Sequence, residues 1–162
     1  MRATKIFVMV GLVLSTLAFV IAVQAQQPQP IKVLIIDETQ TLLESLQVNI
    51  LVKIARQLPT LSVDARFIEV ESSFDNPLAK TDLQLKKYDL IVIIPLELNS
   101  LNSIWLVSHH PSTWSSQMSL AFAQLRNLIE QIFAQTGQKT MDVTQDWMPA
   151  FLAGIFQQSG WL

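Results

Sequence analysis

Two short runs of mostly branched aliphatic residues limit the folds open to this chain. "IKVLIID", Ile31 to Asp37, and "YDLIVIIPL", Tyr88 to Leu96, have almost no polar residue in their interiors. A strand with one wet face alternates polar and apolar side chains, whereas a strand buried on both faces need not. Both runs are too short for a core helix. They read as strands of a sheet covered on two sides, the usual setting of parallel strands. Pro95 ends the second run or places its end outside the ladder.

The segments between them fit that sheet. In "TQTLLESLQVNILVKIARQLP", Thr41 and Glu44 have capping-box spacing, and Leu43, Leu46, Ile50, Ile54 and Leu58 share one helical face. Leu42, Leu51, Val52 and Ala55 broaden that face, so the helix is expected to be covered on more than one side. Pro59 stops it. "LSVDARFIEV" alternates with an imperfect period of two and reads as a second strand. "ESSFDNPLAK" is a loop, and "LAKTDLQLKK" reads as a short helix before the Tyr88 run. "ELNSLN" is too short for a crossover helix, so "SIWLVS", Ser103 to Ser108, is expected to return antiparallel.

The remainder reads as helical. Met118, Ala121, Phe122, Leu125, Leu128, Ile129, Ile132 and Phe133 form a stripe ending before Gly137. "GQKTMDVTQ" reads as a connector. In the last helix Asp146 is the expected N-cap, Pro149 falls in the first turn and Gly160 ends it. The expected architecture is α/β: a small three-layer sandwich whose mostly parallel sheet of three to four strands has helices on both faces. Its order is expected to be Rossmann-like or flavodoxin-like, with an N-terminal signal helix ahead of it.

"MRATKIFVMVGLVLSTLAFVIAVQAQQPQP" reads as an export signal: Arg2 and Lys5, an uncharged run from Ile6 to Val23, then Val23-Gln24-Ala25 as a cleavage pattern. The expected division is a signal peptide at 1–25, a polar linker at 26–30 and a single domain at 31–162. The expected location is periplasmic or secreted. The run also meets the minimum for a span, so an anchor with the domain outside the cytoplasm is the alternative. Half of the residues are hydrophobic, 15% are charged and none is cysteine. This excludes disulfides and thiol chemistry, and the net charge of −2 argues against a nucleic-acid partner. With four glycines in all, the chain has no phosphate loop, dinucleotide fingerprint or G-x-S-x-G elbow, and no cofactor is expected.

Candidate sites follow from the strand ends. Asp37 and Glu38 lie where open α/β sheets receive ligands, outside the carboxyl ends of the strands. Glu97 and Asn99, after Leu96, are expected to join them in binding. Two adjacent acids there resemble the metal-binding corner of response-regulator receiver domains. "DLIVII", however, puts Ile94 where those domains carry the phosphate-accepting aspartate, so the likeness is one of architecture. His109 and His110, the only histidines, would complete a metal site with Asp37 and Glu38 if their strand ended on the same edge. An antiparallel strand would dissolve that constellation. Ser108 and His109 are adjacent and do not face each other, as a nucleophile and its base must. Trp147, Phe151, Phe156 and Trp161 would form an interface if exposed and a core helix if not.

The reading reached is an exported, non-catalytic binding or protein-interaction module for a small ligand or an envelope protein. The alternatives are a metal-assisted hydrolase and an envelope-assembly subunit held through the C-terminal helix.

Overall fold

The computed structural model describes residues 28–38, 42–68, 84–95 and 103–162. They form an α/β fold with a five-stranded, mostly parallel sheet and helices. In chain order the elements are β1 (Ile31–Asp37), α1 (Leu42–Ala55), β2 (Leu61–Phe67), β3 (Leu90–Ile94) and β4 (Ser103–Ser108). Then come α2 (Ser116–Phe133), β5 (Lys139–Thr144) and α3 (Ala150–Gln158). Single 3-10 turns at Leu85–Lys87 and Pro111–Thr113 precede β3 and α2. The leader, the capping pair Thr41 and Glu44, and most of the short helix expected before Tyr88 lie outside the described residues or side chains. Among the described residues no helix is long and apolar enough to cross a membrane.

The sheet order is β2-β1-β3-β4-β5. β1 pairs parallel with β2 and β3, β4 pairs antiparallel with β3, and β5 pairs parallel with β4. The short link after β3 therefore returns the chain in the opposite direction, and β5 follows β4 through α2. The sheet has five strands rather than three or four because "KTMDVT" is a strand and not a connector. It lies at the sheet edge with mostly half-buried side chains, so it lacks the apolar run that marks β1 and β3.

Alternation along the strands divides the core in two. Val33, Ile35, Val92 and Ile104 face α1 and α2. Leu34, Ile36, Ile93 and Val107 face Leu152 and Phe156 of α3, with Trp161 beyond its end. α2 carries the predicted stripe: Met118, Ala121, Leu125, Ile129 and Phe133 are buried, and the Ser115 hydroxyl caps the Met118 amide at 3.1 Å. Gly137 after α2 and Gly160 after α3 have φ of 73° and 69°, the left-handed conformation in which glycine carries no steric penalty. α3 begins at Ala150, so Pro149 and not Asp146 is its N-cap, and Asp146 pairs with His110 instead.

α1 meets the sheet through Val48 and the residues that broaden the predicted face, not through that face's centre. Val48, Leu51, Val52 and Ala55 are buried, whereas Leu46, Ile50 and Ile54 are 56%, 41% and 37% exposed. Both faces are apolar, and the one bearing the small residues Val and Ala allows the closer approach to the sheet. Replacing the outer stripe with Leu46→Glu, Ile50→Gln and Ile54→Lys is expected to change stability by about 1 kcal/mol or less in total, read from the urea midpoint. A loss of more than about 3 kcal/mol would mean that this face is covered in solution.

Candidate functional site

Asp37 ends β1 opposite Ile94 of β3, and Glu38 follows. The Glu38 amide donates to the Ile94 carbonyl at 2.9 Å, and the Ile68 amide donates to the Asp37 carbonyl at 2.9 Å. Strand pairing thus continues one step past β1 and fixes both acids against the carboxyl ends of β2 and β3. Both are nearly buried, at 7% and 5% exposure. Carboxylates so removed from water need hydrogen-bond or charge partners, and both acids are already engaged. The chain leaves β1 for β2 on one side, and β3 lies on the other, so the acids stand at a reversal of winding direction. Glu97 and Asn99 lie outside the described residues.

The histidines are on the other edge. β4 runs antiparallel and pairs Ser108 with Leu90, the first residue of β3. His109 and His110 therefore emerge at the amino end of the parallel strands, a strand length away from Asp37 and Glu38, and the four do not meet. Among the described residues no group of three or more His, Cys, Asp or Glu side chains is placed to hold a metal ion. Ser108 is fully buried, and among the described residues its hydroxyl has no hydrogen-bond partner.

The two imidazoles have different surroundings. His109 stacks on Trp161 with ring centroids 4.0 Å apart and planes 13° from parallel. The Trp161 indole N–H donates to the Tyr88 carbonyl at 2.9 Å, and the Trp114 indole N–H donates to the His109 carbonyl at 3.0 Å. His109 also borders an open cleft of about 230 Å³ with Ile31, Asp89, Thr113, Trp114 and Met118. His110 bridges two loops. Its Nδ1 accepts from the Ser112 amide at 3.0 Å and lies 2.5 Å from the Ser112 hydroxyl. Its Nε2 is 2.6 Å from Asp146 Oδ2. A backbone amide can only donate, so Nδ1 is the acceptor and Nε2 carries the hydrogen that Asp146 receives.

Sequence reasoning missed the grouping of Ser112, His110 and Asp146. The parallel register pairs Ser108 with Thr144, so His110 and Asp146 each lie two residues beyond a paired residue. Reading "KTMDVT" as a strand beside "SIWLVS" would have brought the two loops together. Of the four residues considered for an interface, Phe156 and Trp161 are spent on the core and Trp147 is 56% exposed. The side chain of Phe151 is outside the described set.

Two charged groupings tie the edge strands to the fold. Tyr88 donates to Asp64 of β2 at 2.7 Å, and Lys87 stands 3.7 Å from the same carboxylate oxygen. The Tyr88 hydrogen bond, helped by Lys87, holds the Asp64 carboxyl below its ordinary value. That contribution to stability is present above the unfolded aspartate pKa of about 3.9 and is lost as pH falls through the lower folded value. Tyr88→Phe is expected to move the Asp64 titration upward, measured by NMR. Because Asp64 is exposed, the expected cost near neutral pH is only about 0.5–1 kcal/mol. At the other edge Arg126 of α2 donates to Asp142 of β5 at 2.5 Å and to Glu130 at 3.0 Å. Burial pushes the Asp142 carboxyl upward against the pull of Arg126.

Fold and site together define an α/β protein with two chemically distinct sheet edges: an acidic one at the carboxyl end of β1 and a His, Ser and Asp one at its amino end. No protein-family model, curated protein or solved structure matches this chain.

Proposed function

We propose that this chain is an exported, non-catalytic α/β binding or protein-interaction module that receives its ligand at the carboxyl edge of β1 and β3. Asp37 and Glu38 are the contacting acids, and Glu97 and Asn99, which come after β3 in the sequence, are assigned to the same site. The observation that carries this reading is the near-burial of two adjacent carboxylates where the winding reverses. Acids so placed favour a small ligand bearing a cation or several hydrogen-bond donors. A doubly wound, flavodoxin-like assignment is supported by the order β2-β1-β3-β4-β5, with β4 and β5 reversed in direction. Export is supported by the leader pattern at 1–25.

The test is thermal shift of the purified chain against divalent cations and primary amines. At least one probe is expected to raise the midpoint, and Asp37→Asn with Glu38→Gln is expected to abolish the rise while the circular dichroism stays that of the folded chain. A probe that stabilises both forms equally would remove the acids from the site, and a panel without any effect would count against small-ligand binding there.

A further inference from the structure

We propose that Ser112, His110 and Asp146 form an acyl-transfer site at the amino edge of the sheet, with Ser112 as nucleophile and small activated esters as the substrate class. This replaces the non-catalytic part of the reading above and leaves its binding part untouched, because the two sites lie on opposite edges.

The three groups have the connectivity of an activated hydroxyl. The Ser112 hydroxyl lies 2.5 Å from Nδ1 of His110, and Nε2 of the same ring lies 2.6 Å from Asp146. The carboxylate on Nε2 keeps the hydrogen there and leaves the Nδ1 lone pair toward the serine. The serine and the carboxylate thus exchange ring nitrogens relative to the usual arrangement, which leaves the proton path unchanged. Asp146 is not part of the local turn. It comes from the loop after β5, 36 residues on, and is placed by the pairing of β4 with β5. The turn bearing the serine is braced, since Thr113 Oγ1 donates to the His110 carbonyl at 2.7 Å and Trp114 Nε1 to the His109 carbonyl at 3.0 Å. None of the three groups lines the cleft of about 230 Å³; their chain neighbours His109 and Thr113 do, with Ile31, Trp114 and Met118 as apolar and Asp89 and Ser115 as polar lining.

The step balances. Ser112 Oγ attacks the ester carbonyl carbon, and its proton passes to His110 Nδ1. The tetrahedral adduct collapses with cleavage of the bond to the leaving oxygen, which takes the proton from Nδ1. Water then adds to the acyl-serine by the same path and releases the carboxylic acid. Protonation of Nδ1 costs the hydrogen bond from the Ser112 amide, and the charge-assisted pair between the imidazolium and Asp146 offsets it. The Ser112 amide and hydroxyl compete for the one lone pair on Nδ1, so slow turnover is expected.

The purely structural alternative is that His110 only caps its 3-10 turn. Ser112→Ala separates the two, because it keeps the amide that caps Nδ1 and removes only the hydroxyl. The purified chain is incubated with p-nitrophenyl butyrate, and both release of p-nitrophenol and the mass of the intact chain are followed. The expected result is a butyryl adduct mapped to Ser112 and release about 100-fold faster than from Ser112→Ala. Asp146→Asn is expected to slow release about 10-fold with the thermal midpoint little changed, and Ser112→Cys to recover the adduct as a thioester. Equal release from wild type and Ser112→Ala, or an adduct mapped to a lysine or to His109, would overturn the proposal.

Discussion

A chain ending at Asp146 is expected to aggregate rather than fold. The deletion leaves all five strands, α1 and α2 in the chain and keeps the partner of His110, so its effect isolates Trp147 to Leu162, which is α3 with its flanking residues. Leu152 and Phe156 are fully buried and Trp161 is nearly so. Phe156 and Trp161 meet edge to face with centroids 5.0 Å apart, and Trp161 also stacks on His109. Without them Leu34, Ile36, Ile91, Ile93 and Val107 lose the cover on their side of the sheet. Each large apolar side chain removed takes about 1.5–3 kcal/mol of burial with it, and the uncovered sheet residues lose a comparable amount. The total is on the order of 10 kcal/mol, within the whole stability of an ordinary domain. Size-exclusion chromatography and near-ultraviolet circular dichroism make the measurement. A soluble monomer with native aromatic signals would show that this helix is an accessory and would favour a partner-binding role for it.

The strands legible in the sequence were those with few alternatives. "KVLII" and "LIVII" are too short for helices and too apolar for loops, so their burial on both sides fixed β1 and β3 as inner strands. The eight-residue link between β3 and β4 fixed the direction of β4 because no parallel crossover fits in it. α2 was legible because its opposite face is polar. α1 was legible as a helix but not in orientation, since Leu46, Ile50 and Ile54 offer a stripe as good as Val48, Leu51 and Ala55, and only the sheet selects between them. β5 was lost because an edge strand with mixed side chains resembles a loop. That loss concealed the second site: His110 and Asp146 meet only through the register of β4 with β5. Asp37 and Glu38 needed only the end of β1 to be placed, so their position was readable. Their depth of burial was not, because it depends on the ends of β2 and β3.

Ile93→Asp is expected to abolish folding, whereas Phe67→Asp on the same sheet is expected to be nearly silent. Ile93 lies on β3, which is paired on both sides, and its side chain is fully buried among the residues facing α3. An aspartate there loses the isoleucine's burial, worth about 2–5 kcal/mol with the cavity it leaves. It also adds a carboxyl group without a partner, charged or neutral, at a further cost of several kcal/mol. Together these reach the 5–15 kcal/mol typical of a whole domain. Phe67 ends the edge strand β2 and is 62% exposed, so an aspartate at that position stays in water. Its expected cost is about 0.5 kcal/mol, mostly from the lower strand propensity of aspartate. The measurement is soluble yield together with the urea midpoint of each variant. If both variants fold with similar midpoints, α3 does not seal its side of the sheet. If both fail, the outer edge of β2 is covered by another part of the chain or by a partner, and the exposed face of Phe67 is an interface.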